Sequence, residues 1–274
     1  MPSDAHPSAD APAIAGDLTS VFFRPVRWQS AFEETVDRLG QAIKLGAVEV
    51  GEQLPSEREL VAQLRISRTT LREAIRALQQ EGILVTRRGR AGGTFVASDG
   101  IRVLSKSDAR RIVQQLGPAL FDLIDIRSAV EPKAAELAAQ RRDPHLVATL
   151  QALLSRSHQA PVTVLRRTDS LLHIGIAQMA SSELLMDAVL KVQTRLHDLL
   201  AFLSVVPTPK VAARHESRQH ETILEAIARG DSQGARDSMA KHVEATEELL
   251  YSVLKISPSR VGAPSVRRRA ARSS

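Results

Sequence analysis

Two stretches decide the fold: Leu54-Pro55-Ser56-Glu57-Arg58-Glu59-Leu60 and Ile66-Ser67-Arg68-Thr69-Thr70-Leu71-Arg72-Glu73-Ala74. Ser56 followed three residues later by Glu59 has capping-box spacing, so a helix starts there. Leu60 and Leu64 give that helix an inward face. Ser67 then caps a second helix that turns Leu71, Ile75 and Leu78 inward and Arg68, Thr69, Arg72 and Arg76 outward, until Gly82 stops it. Upstream, a helix from near Ser30 carries Phe32, Val36, Leu39 and Ile43 on one stripe, and Gly46 and Gly51 break the chain after it. Downstream, Leu84-Val85-Thr86 and Thr94-Phe95-Val96 read as short strands around Arg87-Arg88-Gly89-Arg90-Ala91-Gly92-Gly93, a hairpin with a basic, glycine-rich tip. Three helices followed by a basic hairpin is the order of a winged helix-turn-helix.

The rest of the chain has a different character. From Pro118 to about Tyr251 every stretch has helical period and none has strand alternation. Breaks fall at Asp143-Pro144, near Pro161, near Ser181-Ser182, at Pro207-Thr208-Pro209 and at Gly230-Asp231. Asp143 and Thr208 each precede a proline, the pattern of a cap with proline at the first helical position. The expected fold is mainly α: an N-terminal winged helix-turn-helix, then an all-α bundle of six to seven helices. The expected divisions are a disordered arm at 1–27, the winged domain at 28–98, and a polar linker with one short helix at 99–117. The helical domain then spans 118–253, and a basic disordered tail 254–274.

Composition narrows the chemistry. The 274 residues suit one large or two modest domains. With no cysteine, disulfides, thiolate catalysis and cysteine zinc sites are excluded. No apolar run approaches the ~20 residues of a membrane span, and the acidic N-terminus lacks signal-peptide order, so a cytoplasmic place without membrane contact is expected. The net charge of +6 is unevenly spread. Residues 65–90 hold Arg65, Arg68, Arg72, Arg76, Arg87, Arg88 and Arg90 against only Glu73 and Glu81, and the last 21 residues hold six basic groups and no acid. Residues 119–253 are slightly acidic. Only part of the molecule is built for a polyanion.

The motifs at 54–60 and 66–74, with Gly82-Ile83-Leu84 and Gly92-Gly93-Thr94-Phe95-Val96, resemble the GntR-family DNA-binding domain, each at the family spacing. The physical reading agrees, because the first turn of a recognition helix reaches base edges and arginine pairs bidentately with guanine. Arg68 and Arg72 share that face, with Ser67 as cap and the hydroxyls of Thr69 and Thr70 available for phosphate or base. The resemblance adds Arg58 and the wing tip at Arg88 and Gly89, the latter in the minor groove. The alternative is a solvated face with an Arg72–Glu73 surface pair. One departure is Arg65, where the family often has Gly or Asn; a positive φ there would strain arginine.

Among eight histidines, three sit on inward stripes. Asp169 and His173 are four apart beside Leu172 and Ile176; His220 shares a stripe with Ile223, Leu224 and Ile227; His242 shares one with Met239, Thr246 and Leu249. Buried polar groups need partners, and one divalent metal would serve all four; the alternative is ordinary hydrogen-bonded core histidines. The donor set suits zinc, with nickel or manganese as alternatives, and leaves positions for a ligand or water. Asp169-Ser170-Leu171-Leu172-His173, His220 and His242 resemble the metal-binding pattern of the FCD domain, found in the FadR subfamily of GntR regulators. Asp125-Ile126-Arg127 with Glu131 and the run Ala134–Ala139 resembles that domain's first helix, in which the arginine helps hold a carboxylate effector. The alternative for Arg127 is an internal salt bridge to Glu131. A second departure is Ser182, where the family commonly has Asn as a ligand contact.

These readings imply a non-enzymatic DNA-binding transcriptional regulator, most often a repressor. It would act as a homodimer on a pseudo-palindromic duplex under the control of a small organic acid. Two competitors are a metal-dependent hydrolase fused to a DNA-binding module, for which no GxSxG, P-loop or HExxH exists, and a non-specific architectural DNA binder suggested by the basic tail.

Overall fold

The computed structural model describes residues 29–89, 92–100, 106–157, 160–202 and 210–254. The expected N-terminal arm (1–27), the tail beyond Leu254, and the break at 207–209 lie outside the described residues.

Local capping sets the N-terminal elements. Ser30 caps α1 (Ala31–Lys44) and Ser56 caps α2 (Glu57–Leu64), each in a full capping box with Glu33 or Glu59. Ser67 caps α3 (Arg68–Gln80) by accepting from the Thr70 amide at 3.0 Å. Gly82, at φ +72°, follows α3 in the left-handed conformation that ends helices cheaply. The wing is an antiparallel pair, β1 (Leu84–Arg87) and β2 (Gly93–Val96), in the register Leu84↔Val96. The segment 51–54 pairs with the far side of β2 through Gly51 N to Val96 O and Leu54 N to Thr94 O, both at 2.8 Å. Leu39, Ile43, Leu54, Leu60, Leu71, Ile75, Leu78, Leu84 and Val96 form one buried core beneath these elements.

Among the described residues the second domain is helical: α4 (Lys106–Arg141), α5 (Pro144–Ser157), α6 (Val162–Met179), α7 (Glu183–Phe202), α8 (Lys210–Arg229) and α9 (Ser232–Leu254). The stretch 99–117, expected as a linker with one short helix, is already helical from Lys106, and α4 continues without a break through Gly117-Pro118. Propensity marked a boundary there; the length of a packed helix is set instead by its partners, and α4 lies against α6, α7, α8 and α9. Its run Ala134, Ala135, Ala138 and Ala139, all nearly inaccessible, lets those helices approach closely. Asp143 caps α5 through the His145 amide at 2.9 Å. No described helix is long and apolar enough to cross a membrane.

The domains touch along α1 and α7. Arg38 reaches Asp187 at 3.3 Å and Lys44 reaches Asp198 at 2.9 Å. Arg167 on α6 reaches Asp99, just past the wing, at 2.6 Å, and its stem lies over Gly46, where an added Cβ would come within 2.8 Å of it.

Arg65 caps α2 at φ +53°, ψ +44°, so the strain anticipated for an arginine is present. Left-handed geometry costs an ordinary residue on the order of 1–2 kcal/mol, less for Asn. Arg65→Asn is therefore expected to raise the urea midpoint at unchanged slope, by the equivalent of about 0.5–1 kcal/mol. An unchanged or lower midpoint would show that the turn does not strain arginine.

Candidate functional site

Three helices converge on one point of the second domain. Asp169 and His173 come from α6, His220 from α8 and His242 from α9, and the candidate ligand atoms all lie within 4.8 Å of one another. The three histidines are buried and Asp169 is nearly so. The inward stripes place them: Leu172, Ile176, Ile223, Leu224, Ile227 and Met239 are all essentially inaccessible. His242 Nε2 is 3.2 Å from His173 Nε2 and 3.3 Å from His220 Nε2. Asp169 Oδ1 is 3.0 Å from His220 Nε2, 3.6 Å from His173 Nε2 and 3.7 Å from His242 Nε2. A tetrahedral shell with arms of about 2.0 Å has edges of about 3.3 Å, so these separations fit a divalent ion such as zinc.

The surrounding groups point the same way. His242 Nδ1 donates to Gln219 Oε1 at 3.1 Å, which turns the Nε2 lone pair inward. His173 Nδ1 lies 3.0 Å from Glu131 Oε2, a carboxylate contact in which the ring N–H is not well aligned. Glu131 also accepts from Arg127 Nε at 2.9 Å and from Gln193 Nε2 at 2.6 Å. Imidazole nitrogens gathered this closely repel unless a proton or a cation stands between them. Burial alone would lower the His173 pKa, but the carboxylates of Glu131 and Asp169 outweigh it and raise it to about 9. His242 is driven the other way by burial and by the neighbouring His220 and His173. Burial opposes ionisation of Asp169, yet contacts with His173 and His220 hold its pKa well below the usual range. A metal bound at this site would have to displace any proton held on His173.

Arg127 is buried and forms the internal salt bridge offered as the alternative reading for it. Its Nε pairs with Glu131, and its Nη2 stands 3.5 Å from His242 Nε2, at the edge of the four-donor cluster. Ser182 stands in the turn before α7, where its carbonyl accepts from the Met186 amide at 2.8 Å. His145 is exposed and His197 is buried between charged neighbours; His6 and His158 lie outside the described residues, as does the side chain of His215. Gln193, Gln219 and Arg167 were not singled out from the sequence. Gln193 left a signal there, a polar residue on a stripe with Val189 and Leu196.

On the winged domain, Arg58, Arg68, Thr69 and Arg72 are exposed along the first turns of α2 and α3, and Arg88 and Gly89 are exposed at the wing. Ser67 and Thr70 face each other, Oγ to Oγ1 at 2.8 Å, so their hydroxyls serve the cap. Arg72 pairs with Glu57 across α2 and α3 at 2.9 Å, not with Glu73. Arg87 lies over the Phe95 ring at 4.6 Å, which stiffens the wing.

Comparison with known proteins agrees with this architecture. Residues 32–96 match the model of bacterial regulatory proteins of the gntR family, and residues 122–245 match the FCD domain. The chain is 31% identical over 229 residues to an Escherichia coli (strain K12) protein named "Putative L-lactate dehydrogenase operon regulatory protein", covering 77% of this chain and 83% of that relative. The chain belongs to the GntR family. It is also 28% identical over 230 residues to the Exu regulon transcriptional regulator of Escherichia coli (strain K12), covering 81% of this chain and 84% of that relative. A solved structure described as E. coli McbR/YncC aligns with 82% of this chain and 99% of that chain, at 21% identity and a TM-score of 0.49. This GntR-family protein is a transcriptional regulator with a DNA-binding domain and an FCD domain, and it is not an enzyme.

The pKa directions fix how the site responds to pH. His173 is raised in the folded protein, so its pairing stabilises metal-free protein fully below about pH 6.5 and is lost as pH rises through about 9. Metal affinity should run oppositely and rise with pH, because protons compete for the imidazoles. Calorimetry of zinc binding near pH 7, in two buffers of different ionisation heat, should show about one proton released per chain. No release, or full zinc binding by a His173→Ala, His220→Ala double variant, would overturn the ligand assignment.

Proposed function

We propose that this regulator binds a pseudo-palindromic duplex as a homodimer in the cytoplasm, as a repressor, and that a small organic acid at a metal held by Asp169, His173, His220 and His242 controls its affinity. The carrying observation is the convergence of four donor atoms from three helices beside the Arg127 guanidinium. A bound divalent ion there supplies a Lewis-acid partner for a carboxylate, and Arg127 supplies a fixed cation in a low-dielectric setting. The relative named for an L-lactate dehydrogenase operon supports a carboxylate, since lactate is one.

Control would follow from what packs around Arg127. Among the described residues a cavity of about 10 Å³ lies beside Arg127, lined by Leu123, Ile124, Leu196, Val243, Glu247 and Leu250. That is room for about one water molecule, so a carboxylic acid entering there would part α4, α7 and α9. Of these, α7 cannot move alone, because its Asp187 and Asp198 pair with Arg38 and Lys44 of the winged domain. Entry of the acid would thus shift the placement of the DNA-reading heads.

Two outcomes are expected. Arg68→Ala and Arg72→Ala should each weaken specific binding by about 1–3 kcal/mol with the fold intact, and wild-type protection should cover two half-sites related by two-fold symmetry. Protection by both variants indistinguishable from wild type would overturn the recognition-helix reading. In a thermal-shift screen of zinc-loaded protein, a small organic acid at ~100 times its Kd should add roughly 2.7 kcal/mol and change affinity for the duplex. Arg127→Lys, which keeps the charge beside Glu131 but loses the planar fork, should fold and respond less. If no acid stabilises wild type, or Arg127→Lys responds fully, the effector assignment is wrong.

A further inference from the structure

Two arginines face outward from the start of α3, and only one of them is held. Among the described residues Arg68 has no side-chain partner, whereas Arg72 Nε donates to Glu57 Oε2 at 2.9 Å. The pair joins α3 to the first turn of α2 and stays in solvent, with Arg72 58% and Glu57 43% exposed. Exposed pairs of this kind add little stability. Nor does Glu57 serve the cap, since Ser56 and Glu59 complete it between them. Negative charge is at ease in that turn, where unpaired helix amides point. That preference asks only for some acid in the turn, which Glu59 also supplies; it does not account for a carboxylate placed against Arg72 on the outward face.

A guanidinium has two donor edges. With Glu57 against Nε, the edge that remains outward is the one made by the two Nη groups. An unpaired arginine near a duplex finds phosphate everywhere, and counterion release rewards that contact whatever the sequence. Pairing with a carboxylate cancels most of that reward, and the carboxylate itself repels phosphate. What remains is a held fork of N–H donors, which matches N7 and O6 of guanine. Repulsion against the wrong contact is as much a source of specificity as attraction to the right one.

We propose that Glu57 is a specificity-determining positioning residue that presents Arg72 to a guanine edge in the major groove and withholds it from phosphate. The proposal rests on α3 being the recognition helix.

The test selects duplexes from a random library with full-length wild type, Glu57→Gln, Glu57→Ala and Arg72→Ala. Wild type should recover a sequence with a preferred guanine in each half-site, and that position alone should lose its preference in all three variants. Changing that guanine to adenine should cost wild type about tenfold in Kd and Glu57→Ala less than about threefold. Affinity for a scrambled duplex should rise several-fold in both Glu57 variants, with a salt slope steeper by about one, as the released cation takes a phosphate. It should fall in Arg72→Ala. Melting temperatures should match wild type, and Glu57→Gln, which keeps the side-chain shape, covers the case in which Glu57→Ala weakens the helix start. The proposal is overturned if both Glu57 variants keep every base preference, or lose affinity uniformly across sequences. If wild type enriches no common sequence, the recognition-helix reading fails and this proposal with it. If Arg72→Ala loses the guanine while the Glu57 variants keep it, only the role of Glu57 is refuted.

Discussion

Burying ionisable groups in a helical core is the constraint on which the second domain depends. Asp169, Glu131, Arg127, His173, His220 and His242 share one small volume almost out of reach of water. Each would be costly there alone. Together they form a chain of contacts: Gln193 to Glu131, Glu131 to Arg127 and His173, and His173 to His242, whose far side rests on Gln219. The apolar stripes of α6, α8 and α9 bring the helices together, and the polar cluster dictates how they meet. A core of leucines alone could slide by a turn; six interlocked polar groups cannot.

The same helices carry the contacts to the winged domain. Arg167 lies two residues before Asp169 on α6, with its guanidinium on Asp99 and its stem over Gly46. Gln193 and the pair Asp187 and Asp198 sit on one helix, α7, the first reaching into the buried cluster and the others reaching α1. Rigid elements tied at both ends convert a local change of packing into a change of domain placement. The winged domain is built differently: short capped helices and a braced hairpin hold arginines out into solvent.

Much of this was legible in the residues because it is local. The helix start near Ser30, the capping box at Ser56, the cap at Ser67, the stop at Gly82 and the period-two wing are each written within a few residues. Inward stripes marked His173, His220 and His242, since side chains at helical spacing share a face whatever the fold. The left-handed turn at Arg65 was signalled only by the family resemblance, in which Gly or Asn is common at that position. What failed was the reading of 99–117. Gly117-Pro118 has every local mark of a boundary, yet α4 runs through it because packing against four other helices outweighs the propensity of two residues.

The sequence by itself determined the element order, the winged head, the helical second domain and the residue types able to hold a metal, because those depend on period, caps and chemistry along the chain. Tertiary structure alone decided which groups meet. That Glu57 pairs with Arg72 rather than Glu73 doing so, that Gln193 and Gln219 orient groups 62 and 23 residues away, and that Arg167 spans to Asp99 are all facts of helix placement. Such pairings depend on distances between helices, and no period or cap within one segment encodes them.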